Sequence, residues 1–188
     1  MFQQALTVIL SRLKTARLQG LIEDFALIGG FAVSAWGVPR ATQDIDFAIA
    51  LGSANPHALA NFLGSRFEPG EPDDPLKGVL HTTIQVGSDS VPLQLILFSP
   101  SLTEITFRGM ETLSVMDQVV PVVSWQVLVL LKLYAGGPQD KLDAHQILQV
   151  RHPTPDDLEQ IREMAESLGI LKDWALLLKL HQKESSDP

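Results

Sequence analysis

The spacing of apolar residues changes several times along the chain, and each change predicts an element. Phe2, Leu6, Ile9, Leu13 and Ala16 recur at helical spacing, so the first segment reads as an amphipathic helix. "DFALI" is a short buried strand, Gly29-Gly30 a tight turn, and "FAVSAW" the opening of a helix of small residues. "DIDFAIAL" alternates as a second strand, and Asn55-Pro56 supplies the cap and first-turn proline of a helix ending near Arg66. "FEPGEPDDPLKG" is dense in Pro, Gly and acid and reads as a mobile surface loop. Two strands follow, "VLHTTIQV" and "VPLQLILF", with "GSDS" as their hairpin turn. Beyond them come a short helix near "SLTEITF" and extended pieces at "ETLSV" and "VVPVV". From Ser124 onward the pattern is helical, with stops at Gly136-Gly137-Pro138, His152-Pro153 and Gly169. The expected class is α/β (α+β), with a core over residues 1–122 and a helical part over 123–188 packed on it as one structural unit.

Composition narrows what such a chain can do. Among 188 residues, 45% are hydrophobic and 19% charged, the balance of a globular protein and not of a disordered one. The net charge of -8 leaves no general basic field, so an RNA partner would need a local patch. The absence of cysteine removes disulfides, thiolate metal sites and cysteine nucleophiles, and makes a reducing cytoplasm the expected location. In the first segment Arg12, Lys14 and Arg17 follow the apolar stretch instead of preceding it, which is not the order of a signal peptide. No apolar run approaches the ~20 residues that span a bilayer, and no membrane partner is expected.

Two carboxylates carry the sharpest chemical signal. On a strand, residues two apart share a face, so Asp44 and Asp46 point together, with Ile45 turned away. Two adjacent like charges repel unless a cation lies between them, and carboxylates without His or Cys nearby suit Mg²⁺. The blander reading is a solvent-facing pair at the start of a strand. The preceding Gly29-Gly30 lets the backbone approach a ligand closely, or serves only a strand-to-helix turn. The helix "SWQVLVLLKLYAG" is apolar almost all round, so Lys132 should meet the aspartates or a bound phosphate, or snorkel to water. Asp140 and Asp143 lie on one side of the next helix, near its start. They favour the helix dipole, or Asp140 completes the acidic site or orients Lys132. The five histidines show no ligand spacing and read as structural or surface residues, while Asp73 and Asp74 read as solvated. No G-x-S-x-G, G-x-x-x-x-G-K or G-x-G-x-x-G occurs, which argues against a hydrolase elbow, a P-loop and a dinucleotide fingerprint.

Taken in order, "IGGFAVSAWGVPRATQDID" resembles the Gly-Gly and Arg-x-Thr-x-Asp-Ile-Asp signature of the minimal nucleotidyltransferases. "LLKLYAGGPQDKLDAHQIL" is similar to the Lys and Asp motifs of their AbiEii/AbiGii toxin-like branch. The resemblance implies a mixed sheet flanked by helices, a nucleoside triphosphate, Mg²⁺, and transfer of a nucleotidyl group to a hydroxyl. It implies Gly29 and Gly30 at the phosphates, Asp44 and Asp46 at the metal, Lys132 at the triphosphate and Asp140 as the last acidic motif. Arg40 and Thr42 would support the loop or the nucleotide, with Asp143 as a further candidate. The acceptor would be RNA, tRNA included, a protein hydroxyl or a small molecule, in a toxin–antitoxin setting with an antitoxin as partner. The chain departs from the pattern in two places: Phe31 and Ala32 follow the glycines where many nucleotidyltransferases carry a hydroxyl residue, which weakens phosphate binding, and a strand position differs as well. The superfamily commonly carries a third carboxylate in the strand "VPLQLILF", and here Gln94 stands in its place. An amide hydrogen-bonds a hydroxyl but is no general base at neutral pH, so either Asp140 supplies that carboxylate or the protein is a weak catalyst or a binder.

Overall fold

The computed structural model describes residues 1–186. It divides into two compact units, one of Met1–Ala32 and Ala41–Val123, the other of Val33–Arg40 together with the chain from Ser124 onward.

The first unit is built on a seven-stranded mixed sheet in the order β3-β4-β5-β2-β1-β7-β6. Its strands are β1 (Asp24–Ile28), β2 (Ile45–Ala50), β3 (Arg66–Pro69), β4 (Leu76–Val86), β5 (Asp89–Phe98), β6 (Glu111–Val115) and β7 (Gln118–Val122). Strand β2 runs antiparallel to β1 and parallel to β5, so the middle of the sheet joins segments distant in sequence. One face is continuous core: Ile45, Phe47 and Ile49 of β2, Leu93, Leu95 and Leu97 of β5, and Leu80 and Ile84 of β4 are all buried. Each such side chain contributes ~1.5–3 kcal/mol by leaving water. Helix α1 (Phe2–Leu18) packs on β4 and β7 and buries Ala5, Leu6, Ile9, Leu10, Leu13 and Ala16. The stripe read from the sequence is therefore the face that the sheet covers.

Several boundaries differ from expectation. The glycines do not precede the next helix but open it, as α2 (Gly29–Ala35), because Gly29 takes φ +67° and turns the chain within one residue of the strand. Helix α3 (Pro56–Leu63), capped by the Asn55 side chain, ends at a left-handed Gly64, and Arg66 starts a strand instead of ending the helix. The acid-rich segment is only partly a loop, since Arg66–Pro69 pair antiparallel with residues 78–81 of β4. The β4–β5 turn needs only Gly87 and Ser88. Helix α4 (Pro100–Phe107) and the β6–β7 hairpin fall where the pattern put them.

The second unit contains α5 (Trp125–Ala135), α6 (Pro138–Arg151), α7 (Pro155–Ser167) and α8 (Leu171–Ser186). Helix α5 is buried on most sides, through Trp125, Val127, Leu128, Val129, Leu130, Lys132 and Leu133. The segment Val33–Arg40, read from the sequence as part of the α/β core, belongs with these helices. There Val33, Trp36 and Val38 are buried, and the Arg151 guanidinium lies 5.0 Å over the Trp36 ring. Among the described residues no helix is long and apolar enough to cross a membrane.

Candidate active site

In the first unit the acid pair is built by strand alternation. Ile45 and Phe47 point into the core, while Asp44, one residue ahead of β2, and Asp46 within it are half-buried. Asp46 lies opposite Ile28, the last residue of β1, so the chain turns at Gly29 beside its carboxylate. A Cβ on Gly29 would collide with that carboxylate, and one on Gly30 would come within 2.7 Å of the Thr42 side chain. Both glycines are thus required by close approach. Thr42 Oγ1 donates a 2.7 Å hydrogen bond to Asp44 Oδ1, which fixes one oxygen of the pair.

Among the described residues no group of three or more His, Cys, Asp and Glu could hold a metal. Asp44 and Asp46 offer two carboxylates, which fits a hard cation that keeps part of its water shell and takes further oxygens from a phosphate, the habit of Mg²⁺. They do not make an all-protein cage.

Cross-strand register extends the site along the open face of the sheet. Asp46 pairs with Gln94 of β5, Gln94 with His81 of β4, and His81 with Arg66 of β3. Directly paired residues project to the same face, so these four side chains form one polar row. The side chain of His81 is 43% exposed, and its Nε2 lies 3.8 Å from Glu68 Oε2. Glu68 also accepts a 2.9 Å hydrogen bond from Arg66. Sequence reading set His81 aside with the other histidines. Alternation along β4 could have put it on the open face, but only the register with β5 puts it beside Gln94.

In the second unit, Lys132, Asp140, Asp143 and Arg40 form a network of their own. Lys132 Nζ donates to Asp140 Oδ1 at 2.8 Å and lies 3.0 Å from Asp143 Oδ2. Asp143 has no exposed surface, and it also accepts from Gln139 at 2.8 Å and pairs with Arg40 Nε at 3.3 Å. Burial works against the Lys132 charge, yet hydrogen bonds and charge attraction from Asp140 and Asp143 outweigh it and hold the pKa above the ordinary lysine value. Lys132 is therefore a fixed ammonium at neutral pH. Asp140 accepts the hydrogen bond of Lys132, and the more buried Asp143 lies against the same ammonium. A cavity of about 170 Å³ in this unit is lined by Leu133, Lys141, Asp173, Leu176, Leu177 and Leu180, none of them a predicted site residue.

Solved structures with this arrangement of elements point one way. An antigenic nucleotidyltransferase-like protein from Paracoccidioides brasiliensis matches over 94% of this chain and 93% of its own, with TM-score 0.54 and 19% identity. The fold is that of the nucleotidyltransferases. A solution structure of the antibiotic-resistance factor ANT(2'')-Ia matches this nucleotidyltransferase fold over 96% of the chain and 99% of its own, with TM-score 0.51 and 14% identity. A crystal structure of ANT(2'')-Ia in complex with adenylyl-2''-tobramycin matches over 86% and 96%, with TM-score 0.50 and 16% identity. No family model and no curated protein matches the chain.

Proposed function

We propose that the chain is a Mg²⁺-dependent nucleotidyltransferase that moves a nucleotidyl group from a nucleoside triphosphate to a hydroxyl acceptor. The observation that carries this reading is the half-buried Asp46 carboxylate seated against the Gly29 bend, with Asp44 held two residues away by Thr42. Such a corner offers a cation two carboxylates and lets a phosphate approach bare backbone. When bound, the cation neutralises charge on the triphosphate.

The reaction is in-line attack of the acceptor oxygen on the α-phosphorus. The bond from that phosphorus to the bridging oxygen breaks, and pyrophosphate departs with the electron pair. The protein's part is mainly positioning and charge. Asp44 and Asp46 would hold the cation, Gly29 and Gly30 would make room for the phosphates, and Thr42 anchors Asp44. Arg40, tied to Asp143, supports the loop that leads to Thr42. Lys132, oriented by Asp140, is an ammonium suited to an anionic phosphate.

The acceptor is tested in three arms. RNA and protein hydroxyls represent the toxin-like reading, in which an antitoxin would be the partner. Tobramycin represents the small-molecule reading, because ANT(2'')-Ia is known in complex with its adenylylated form. Incubation of the protein with α-labelled triphosphate, Mg²⁺ and each acceptor should move label to one of them. Asp46→Asn should lower that transfer by roughly 10²-fold or more without shifting the unfolding midpoint. Full transfer by Asp46→Asn would remove the metal-site reading. Gln94 favours a second reading, a nucleotide-binding or partner-binding protein without catalysis, which predicts Mg²⁺-dependent nucleotide binding with no label transferred.

A further inference from the structure

The nucleotidyltransferase reading leaves one task unassigned, the removal of the acceptor's proton. Gln94, the residue beside Asp46 on the neighbouring strand, is an amide and cannot do it. Asp140 sits in the second unit, committed to Lys132 at 2.8 Å. The next residue in the same cross-strand row is His81.

We infer that His81 is the general base that receives the proton of the attacking hydroxyl, in the role that Gln94 cannot fill. The inference rests on the transferase reading above and adds a residue to it. Strands lie ~4.8 Å apart, so the His81 backbone is about 10 Å from that of Asp46, with Gln94 between them. An acceptor hydroxyl lying over Gln94 would have the His81 imidazole on one side and the Asp46 carboxylate on the other. Gln94 can hydrogen-bond that hydroxyl and hold it in place. His81 itself does not neighbour the metal acids.

The surroundings of His81 suit the part. From β3, Glu68 faces its Nε2 at 3.8 Å and Arg66 is its register partner; from β5 it meets Gln94, flanked by Pro92 and Ile96; on its own strand Val79 and Thr83 share the face. Glu68 is thus the carboxylate beside the ring. Its Oε2, which accepts a 2.9 Å hydrogen bond from Arg66, is a carboxylate charge within 4 Å of the ring on which the proton would arrive. In the step, the acceptor O–H bond breaks, its proton passes to His81, and the oxygen bonds the α-phosphorus as pyrophosphate leaves. The imidazolium then releases its proton to water through the exposed face.

The test compares wild type, Asp46→Asn, His81→Gln and His81→Gln with Gln94→Glu, using α-labelled triphosphate, Mg²⁺ and, in separate arms, tobramycin, bulk RNA and a protein acceptor from pH 5 to 9. His81→Gln should lower kcat by roughly 10²-fold or more and alter the acidic limb of the wild-type pH profile of kcat. Mg²⁺-dependent nucleotide binding, read by thermal shift, should stay unchanged. The added Gln94→Glu should restore at least 10-fold of the lost rate, with the acidic limb moved toward the carboxylate range near pH 4–5. If His81→Gln keeps kcat within about 2-fold of wild type with the same acidic limb, or changes KM alone, the role of His81 is overturned while the transferase reading stands. If Asp46→Asn transfers as well as wild type, or wild type transfers label to none of tobramycin, bulk RNA and a protein acceptor, the underlying reading falls and takes this inference with it.

Discussion

At the scale of single residues, the acid pair and the double glycine were legible because each rests on local geometry. Alternation puts Asp44 and Asp46 on one face, and a paired glycine after an apolar strand signals a bend that side chains would obstruct. The consequence is sharp at Gly29. Gly29→Ala adds a Cβ where the Asp46 carboxylate sits and forces an alanine to φ +67°, at a cost of about 1–2 kcal/mol for the backbone alone. We expect the variant to fold with a lower midpoint and to lose Mg²⁺-dependent nucleotide binding as Asp46 is pushed aside; unchanged binding by calorimetry would separate the bend from the acids. The partners of Lys132 were only half legible. Its burial in an apolar helix demands an anion, but nothing local says whether that anion is a ligand or the carboxylates of Asp140 and Asp143.

At the scale of elements, period and punctuation recovered the helices and most strands, and failed where long-range pairing decides. Strand β3 is the clearest case. Pro69 and the acids after it speak for a loop, yet Arg66–Pro69 pair with β4 at the sheet edge, where a proline costs no ladder bond. Gly78 permits this pairing, since a Cβ there would meet Glu68 O at 2.6 Å. Helix α7 shows the opposite, a start written entirely in neighbouring residues. Thr154 accepts from Asp157 N, while Asp157 Oδ2 accepts from both the backbone and the hydroxyl of Thr154. Slight burial pushes the Asp157 pKa up, but those bonds, Gln126 and Arg151 outweigh it and hold the carboxyl below its usual range. A depressed carboxylate contributes stability that is present above its unfolded pKa near 4 and is lost as the pH falls through its folded value. Thr154→Ala should therefore cost about 1 kcal/mol at pH 7, and the gap to wild type in urea titrations should narrow below about pH 4. A gap independent of pH would exclude Asp157 as its source.

At the scale of the whole molecule, a net charge of -8 and two half-buried acids two residues apart favour the binding of a cation over that of an anion alone. Ligands that bind only the native state raise its stability by RT ln(1 + [L]/Kd). At a hundredfold excess over Kd that is ~2.7 kcal/mol, or roughly 5–10 °C in Tm for a chain of this size. We expect a nucleoside triphosphate with Mg²⁺ to reach that range, and either alone to fall well short. Equal shifts with and without Mg²⁺ would place the binding elsewhere.

The division of the chain has a practical corollary. Because Val33–Arg40 sits with the C-terminal helices, the backbone crosses between the two units three times, and no single cut separates them. A fragment ended at Val123 would carry Val33, Trp36 and Val38 as orphaned greasy surface, while the complementary piece would lack Arg40 for its sealed Asp143. Gene truncation is thus the wrong tool for dissecting this protein, and each half must be probed inside the intact polypeptide.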